Sequence, residues 1–394
     1  MLEVVVTSAA GGGASVGRDD SGRAVFVEGA LPGERVSVEL QIEKKRFARG
    51  RVVEVLEPVD GRQPLECATG RAGCGGCDLA HATPDLQREM KTQVVHDALL
   101  RIARLEVVPD IAVTSTRQHR YRTTVRAAVM DGVAGYRRRW SHDVIPVSEC
   151  LVAHPLLDEL LTVGRFGNAT EVVLRVSAAT GERLVVTNGD PHSVDVPGEA
   201  TVVKKGAAGE AFITEVAAGR SWQVSADSFF QAGPAAATAL AEGVQRAVVS
   251  VAGQRIVDAY AGVGLFAGTA GNDAQSLTAI EVSPSACADA RINLASGTSS
   301  TCHTIVESTV DSWTPEPADV VIADPSRAGL GAEVVEILTA TNASRFVLVS
   351  CDTGSLGRDV GLLTAAGYVT ESVEIVDAFP ETSHVETIVA LAKP

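Results

Sequence analysis

The sequence predicts a protein of the α/β fold class that begins with an all-β unit. Two observations carry this prediction. From about residue 219 onward, short apolar runs alternate with helical patterns, which is typical of an open α/β sheet. Residues 1 to about 57 instead contain short β-type runs divided by glycine-rich turns. Because 394 residues exceed the roughly 100–200 of an ordinary domain, we expect three regions, at 1–57, 58–218 and 219–394.

The all-β unit is expected to close into a small barrel of the oligonucleotide-binding type. About five short strands with glycine-rich turns suit that architecture. The turns are Gly11-Gly12-Gly13, Leu31–Glu34 and the basic stretch Lys44–Arg51.

Basic residues concentrate in the first 150 residues, although the net charge of the chain is −15. Three basic clusters with interleaved aromatic residues lie there, at Lys44–Arg51, Arg117–Arg126 and Arg137–Trp140. Such clusters suit phosphate contacts and base stacking, so a nucleic-acid partner is compatible with the acidic chain. A solvated basic face is the commoner explanation for any single cluster.

The sequence also bears on compartment. Its start lacks the basic segment and sustained apolar core of a signal peptide, and no uncharged apolar run approaches the roughly 20 residues of a membrane span. We expect a cytoplasmic monomer. Its seven cysteines would then be reduced, metal-bound or catalytic.

Three cysteines close together predict a metal site in the second region. They are Cys67, Cys74 and Cys77, and Cys150 is the candidate for a fourth ligand. A four-cysteine zinc site and an iron–sulfur cluster are both open, because each takes four thiolates. A helix over Asp85–Leu105 and strands within 119–147 and 171–187 complete an expected α+β region.

The third region contains a glycine turn after a strand at Arg255–Ala259. Gly262, Gly264 and Ala267 form a G-x-G-x-x-A pattern, and Glu281 ends the next strand. An acid in that position can accept the ribose hydroxyls of an adenosine cofactor. The glycine pattern is a weak signal alone, and it is compatible with NAD binding.

Cys351 lies where an apolar run meets polar, turn-forming residues. Phe346–Val349 is expected to be a buried strand, and Ser350–Gly354 the loop at its carboxyl end. Ligands bind at that edge of open α/β sheets, so the thiol is a candidate nucleophile. Free cysteine is equally common as a small buried hydrophobe. Glu386 begins the last expected strand.

Six motifs in order give the chain a resemblance to the RNA uracil-5 methyltransferase family. They are SFFQ, DAYAGVGLFA, AIEVSPSACADARINLA, DPSRAGL, VLVSCDTGSLGRDV and FPETSHVETIVAL. In addition, the first region resembles the TRAM domain, an RNA-binding barrel. The resemblance spans essentially the whole chain.

This resemblance implies a Rossmann-like class I methyltransferase domain that uses S-adenosylmethionine on RNA. It implies Cys351 as the nucleophile and Glu386 as the proton acceptor. It also implies two binding sets: S-adenosylmethionine on Gln231, Tyr260, Glu281 and Asp324, and a [4Fe–4S] cluster on Cys67, Cys74, Cys77 and Cys150. Family members act on large-subunit (23S) ribosomal RNA or on transfer RNA, and a barrel combined with four cysteines favours ribosomal RNA.

The chemistry of the reaction agrees with these roles. Uracil C5 is too weak a nucleophile to take a methyl group directly, so a thiolate must first add at C6. Two alternatives use fewer of the motifs. An NAD-dependent dehydrogenase would leave the cysteine loop and the barrel without a role, and a non-catalytic iron–sulfur RNA-binding protein would not need Cys351 and Glu386 together.

Overall fold

A computed structural model describes residues 1–207, 211–248, 254–272, 274–295 and 302–394. The first region is a closed five-stranded barrel in the order β1-β2-β3-β5-β4. Valines and alanines fill its centre. Gly17 and Gly50 lie where a Cβ atom would meet the backbone of the neighbouring strand, so the barrel closes tightly at these points. The strands are β1 (Leu2–Ala9), β2 (Ala14–Arg18), β3 (Ala24–Glu28), β4 (Arg35–Glu43) and β5 (Phe47–Glu57).

The central region contains a six-stranded sheet in the order β12-β11-β10-β7-β8-β9, with α3 packed on one face. The alternating burial of β7 matches a sheet with one covered face. Its elements are α1 (Ala68–Arg71), α2 (Pro84–Arg101), β6 (Ile111–Ser115), β7 (Thr124–Met130), β8 (Val133–Arg137), β9 (Val144–Pro146), α3 (Pro155–Val163), β10 (Glu171–Val176), β11 (Arg183–Thr187), β12 (Thr201–Lys204) and β13 (Phe212–Ala217).

The third region contains an eight-stranded sheet in the order β17-β16-β15-β18-β19-β21-β20-β6. Strands β15 to β19 run parallel, whereas β21 is antiparallel to both of its neighbours. Its elements are β14 (Arg220–Ser225), which pairs with β13, α4 (Pro234–Val248), β15 (Arg255–Ala259), β16 (Ser276–Glu281), α5 (Pro284–Ala295), β17 (Cys302–Glu307), β18 (Val320–Ala323), α6 (Gly331–Thr339), β19 (Arg345–Ser350), α7 (Thr353–Ala365), β20 (Val369–Asp377) and β21 (Glu386–Ala392).

Helix α2 and strand β6 lie within residues 58–218 but pack on the third region. Strand β6 pairs in parallel with β20 at the edge of the eight-stranded sheet. Val95 and Leu99 of α2 are fully buried in the core beneath that sheet. The buried Lys91 donates to Asp377 Oδ1 at 2.6 Å and to the Phe379 carbonyl at 3.0 Å. The segment 84–115 therefore belongs structurally to the α/β domain.

The end of α2 differs from the sequence expectation, whereas the last two strands agree with it. Helix α2 ends earlier than the expected Leu105, because Arg104 takes a left-handed conformation at φ 61° and turns the chain toward β6. The expected C-terminal hairpin is present as β20 and β21. Among the described residues, no helix is both long and apolar enough to cross a bilayer.

Candidate active site

The candidate site lies along one edge of the eight-stranded sheet. The sheet order reverses direction between β15 and β18, and crevices at such points are where α/β proteins bind ligands. Tyr260 follows β15, Asp324 follows β18 and Cys351 follows β19. Strand β21 is antiparallel, so its first residue, Glu386, lies at this same edge. The register shows this directly, since Ser350 pairs with Thr387.

Glu281 is fixed at the end of β16 by two backbone groups. Its Oε2 accepts a hydrogen bond from the Gly262 N–H at 2.9 Å, and its Oε1 accepts one from the Ser283 N–H at 2.8 Å. Tyr260 has a φ of 65°, which is unfavourable for a tyrosine, and begins the turn that brings Gly262 to Glu281. The carboxylate and the glycine turn are thus held together as one rigid wall.

Asp324 and Gln231 meet across the crevice. Gln231 Nε2 lies 3.5 Å from Asp324 Oδ2, so the loop before α4 reaches the end of β18. Burial raises the pKa of Asp324 to about 7. This carboxyl group is therefore poised to change charge near neutral pH.

Cys351 is half-buried and directly precedes the N-cap of α7. Asp352 caps that helix by accepting from the Ser355 N–H at 2.8 Å. Burial, together with the negative charges of Glu386 and Asp324, raises the pKa of Cys351 to about 11, and Arg327 opposes the shift. The free protein consequently holds Cys351 as a thiol at neutral pH.

Glu386 is buried, with 6% of its surface exposed. Burial and the nearby Asp324 raise its pKa well above the usual value, while the Arg327 cation lowers it. A carboxylate in such surroundings binds a proton strongly, which suits a general base.

A cavity of about 1070 Å³ joins these groups. It lies slightly above the roughly 300–1,000 Å³ of an ordinary small-molecule pocket, which leaves room for more than one ligand. All ten residues singled out in the sequence line it, and the sheet-edge residues among them are Gln231, Tyr260, Glu281, Asp324, Cys351 and Glu386. A second cavity of about 190 Å³ borders Cys351 on the side of the barrel turn at Gly11–Gly13.

The four cysteines of the central region also line the larger cavity. They are Cys67, Cys74, Cys77 and Cys150. Backbone N–H groups point at two of the sulfurs, from Gly70 to Cys67 at 3.4 Å and from Gly76 to Cys74 at 3.4 Å.

The same four thiols lie close enough to affect one another. Burial and the neighbouring Cys150 and Cys74 raise the pKa of Cys77. In the described part of the chain, however, no three histidine, cysteine or acidic side chains converge as they would around a single metal ion.

Two further groups at the site were given no role of their own by the sequence. Arg327 belongs to the Asp324–Gly329 loop, where a cation beside two carboxyl groups is a recognisable pattern. Phe229 is 70% exposed at the cavity wall, in the loop before α4. An exposed aromatic residue at a crevice can stack on a base.

Two family models match the chain. The model described as TRAM domain matches residues 1–53, and the model described as tRNA (Uracil-5-)-methyltransferase matches residues 316–394. The second match contains Asp324, Cys351 and Glu386.

Relatives and a solved structure match over almost the full length. An uncharacterised RNA methyltransferase of Streptomyces avermitilis is 34% identical over 99% of this chain and 97% of its own. A Corynebacterium glutamicum relative with the same description is 31% identical over 98% and 96%. The structure of Pyrococcus abyssi tRNA (uracil-54, C5)-methyltransferase in complex with S-adenosyl-L-homocysteine matches with a TM-score of 0.75, at 23% identity over 99% of both chains.

Proposed function

The chain belongs to the S-adenosylmethionine-dependent RNA methyltransferases, and we propose that it methylates carbon C5 of a uridine in structured RNA through a covalent bond from Cys351 to C6. One observation carries the proposal. Cys351 and Glu386 meet at a sheet edge in the same cavity as the residues proposed to bind the cofactor. Family membership also removes the dehydrogenase alternative.

Cys351 begins the reaction by adding to C6 of the uracil ring, which makes C5 electron-rich. S-adenosylmethionine supplies the electrophilic methyl group that C5 accepts. Glu386 then takes the proton from C5, so that the sulfur–C6 bond breaks and the thiolate leaves. The protein's task is to hold these groups in line, because alignment of the reacting atoms removes much of the barrier.

The raised pKa of Cys351 makes activation of the thiol a separate requirement. Arg327 is the nearby cation that favours the thiolate, and it favours the ionised form of Glu386 as well. Protonation of Asp324 would remove one of the two negative charges that raise the pKa of Cys351. Transfer of the thiol proton to Asp324 would therefore produce the nucleophile and leave Glu386 ionised to take the C5 proton later.

Cofactor binding is proposed at the wall formed by Gln231, Tyr260, Glu281 and Asp324. Glu281 is already oriented by two N–H groups and can accept the ribose hydroxyls. The glycine turn allows close approach of the ligand to the backbone. Asp324 contributes negative charge near a cationic ligand.

The RNA is proposed to present the uridine unpaired or flipped out of its stack, because Cys351 cannot reach a base inside a helix. We propose 23S ribosomal RNA as the substrate, on the combination of a barrel with four cysteines. Transfer RNA is the alternative, since the fold shared with the Pyrococcus protein does not separate the two RNAs.

We further propose that Cys67, Cys74, Cys77 and Cys150 hold a [4Fe–4S] cluster. The support is their common cavity, their mutual proximity and the N–H groups directed at two sulfurs. A cluster of this kind would give each thiolate its own iron. Its role would be structural, because the reaction moves no electrons.

The direct test is methyl transfer to RNA from a strain that lacks the protein. Purified protein and cofactor labelled in the methyl group should introduce 5-methyluridine, and mapping should locate it in 23S ribosomal RNA. Cys351→Ala should introduce none. Label in another nucleoside, or none with the wild-type protein, would refute the proposed reaction, and label in transfer RNA alone would refute the proposed substrate.

A further inference from the structure

Asp78, which follows Cys77, is bonded to the loop that leads into Glu386. The Ser383 N–H donates to Asp78 Oδ1 at 2.7 Å, and the Ser383 hydroxyl donates to Asp78 Oδ2 at 2.6 Å. Next to it, the Leu79 N–H donates to the Glu381 carbonyl at 3.0 Å. Residues 78 and 79 thus hold both ends of the stretch 381–383 within the segment 379–385, which we call the catalytic loop.

The catalytic loop needs such support, because its backbone is strained. Glu381 has a φ of 70° and is buried. Its N–H donates to Gln87 Oε1 at 2.9 Å, and its carboxylate accepts from Gln118 Nε2 at 2.7 Å. These bonds fix the first half of the loop. Only Asp78 fixes the Ser383 backbone among the hydrogen bonds of the described residues, and Ser383 is three residues from Glu386.

Asp78 also contacts the barrel side of the molecule. Arg139 lies between two carboxylates, with its Nη2 3.5 Å from Asp78 Oδ2 and its Nε 3.4 Å from Glu28 Oε2 of β3. A Cβ atom on Gly13, in the turn between β1 and β2, would overlap the Asp78 carboxylate. The barrel therefore packs directly on the group that holds the catalytic loop.

We propose that Asp78 is a positioning residue for removal of the C5 proton, and that it links the seating of the barrel to the geometry of the catalytic loop. Asp78 acts through Ser383 on the placement of Glu386. RNA that pulls the barrel or the Arg139 loop toward itself acts on the same carboxylate. This inference rests on the proposed function, in which Glu386 is the base.

Asp78→Ala is the first test. Its kcat should fall by about 10- to 100-fold, the scale expected when a reacting group is misplaced by about 1 Å, with an unchanged KM for S-adenosylmethionine. Because addition and methyl transfer precede the affected step, a Cys351-linked RNA adduct should accumulate. Amide exchange in residues 381–386 should accelerate. Asp78→Asn keeps the size and one acceptor, so it should recover part of the rate.

Two matched controls separate positioning from general damage. Gly13→Ala should reproduce the Asp78→Ala kinetics, whereas Gly12→Ala should not, because Gly12 has nearly the same φ (81° against 79°) but open space around its Cβ position. Asp158→Ala removes a carboxylate that accepts from the Cys150 N–H at 2.7 Å without touching the catalytic loop. It should leave amide exchange in the loop unchanged.

The outcomes decide between the claims. Two results would overturn the positioning role. One is an Asp78→Ala variant with the amide exchange and kcat of the wild type. The other is an Asp158→Ala variant whose loop exchanges as fast as that of Asp78→Ala. If the wild-type protein methylates no uridine, the proposed function fails. Amide exchange in the loop still decides whether Asp78 holds it.

Discussion

Cys351 and Glu386 lie beside each other, both just beyond the register pair of Ser350 with Thr387, so that the negative charge of Glu386 acts on the Cys351 thiol. Burial comes first among the causes that raise the pKa of Cys351 to about 11, and Glu386 comes second. The nucleophile and the base are therefore coupled before any substrate arrives. The reaction can begin only when the thiol proton has left Cys351 for a group other than Glu386.

Replacement of Glu386 by glutamine should stop the reaction after methyl transfer. Addition and methylation do not need the base, whereas elimination does, so this variant should accumulate a methylated RNA–protein adduct that survives denaturing electrophoresis. The adduct should disappear when Cys351 is also replaced by alanine. Turnover at the wild-type rate would show that another group accepts the proton, and His384 would be the next candidate.

S-adenosylmethionine affinity should rise with pH between about 5.5 and 8. Asp324 has its pKa raised to about 7, so it is neutral below that pH and gains a negative charge above it. Because the ionised form attracts the sulfonium cation, binding should strengthen by up to about tenfold per pH unit below the pKa and release a proton. Calorimetry in buffers of different ionisation enthalpy measures that proton.

Two controls assign this pH dependence to Asp324. S-adenosylhomocysteine lacks the sulfonium charge and should show a weaker dependence. Asp324→Asn should remove the dependence, which matters because burial raises the pKa of Asp258 to about 8 in the neighbouring strand β15. A dependence that persists in Asp324→Asn would mean that Asp258 or another group titrates.

The four cysteines should bind iron. Protein purified without oxygen should be brown and contain about four irons per chain. Cys150→Ala should lose the iron and lower the melting temperature, because the site cross-links α1 to the segment before α3. The exposed Cys302 provides the control, and Cys302→Ala should keep the iron and the melting temperature of the wild type. Colourless protein with one zinc would contradict the cluster.

The turn between β4 and β5 should contribute to RNA affinity without selecting the sequence. Lys44, Lys45 and Arg46 are exposed there, and Arg49 is exposed at the start of β5. Replacing all four by alanine should weaken binding to every RNA and reduce the salt slope by about 0.7 for each phosphate that is no longer neutralised. Arg255→Ala, at the partly exposed ion pair with Asp319, is the control. An unchanged salt slope in the fourfold variant would place the RNA elsewhere.

Sequence patterns were sufficient to predict those features that depend on residues near each other in the chain. The five strands of the barrel follow from short β-type runs and turns, and the family model for the TRAM domain confirms the assignment. The sheet edge that bears Cys351 follows from an apolar run that ends in polar residues. Parallel strands bring their carboxyl ends to one edge, so residues far apart in sequence could be expected near each other.

Other features depend on distant packing and left little trace in the sequence. The pattern of residues 85–105 predicts a helix, but it does not predict that the apolar side chains of this helix cover the eight-stranded sheet. Asp78 has no distinguishing motif, since its importance comes from Ser383, Arg139 and Gly13 meeting around it. The high pKa of Cys351 likewise depends on burial, which one sequence does not reveal.

The pairing of β6 with β20 makes the order of synthesis matter. Ile111 pairs with Val373, so a segment made early must wait for nearly the last residues before its edge is covered. During that interval Val95 and Leu99 of α2 have no partner from the final strands, and a nascent chain in this condition is a substrate for chaperones. A truncated chain that starts at residue 219 would expose the edge of β20 permanently. We expect this truncated chain to aggregate. We expect the methyltransferase unit to fold outside its own chain only when residues 84–115 are included.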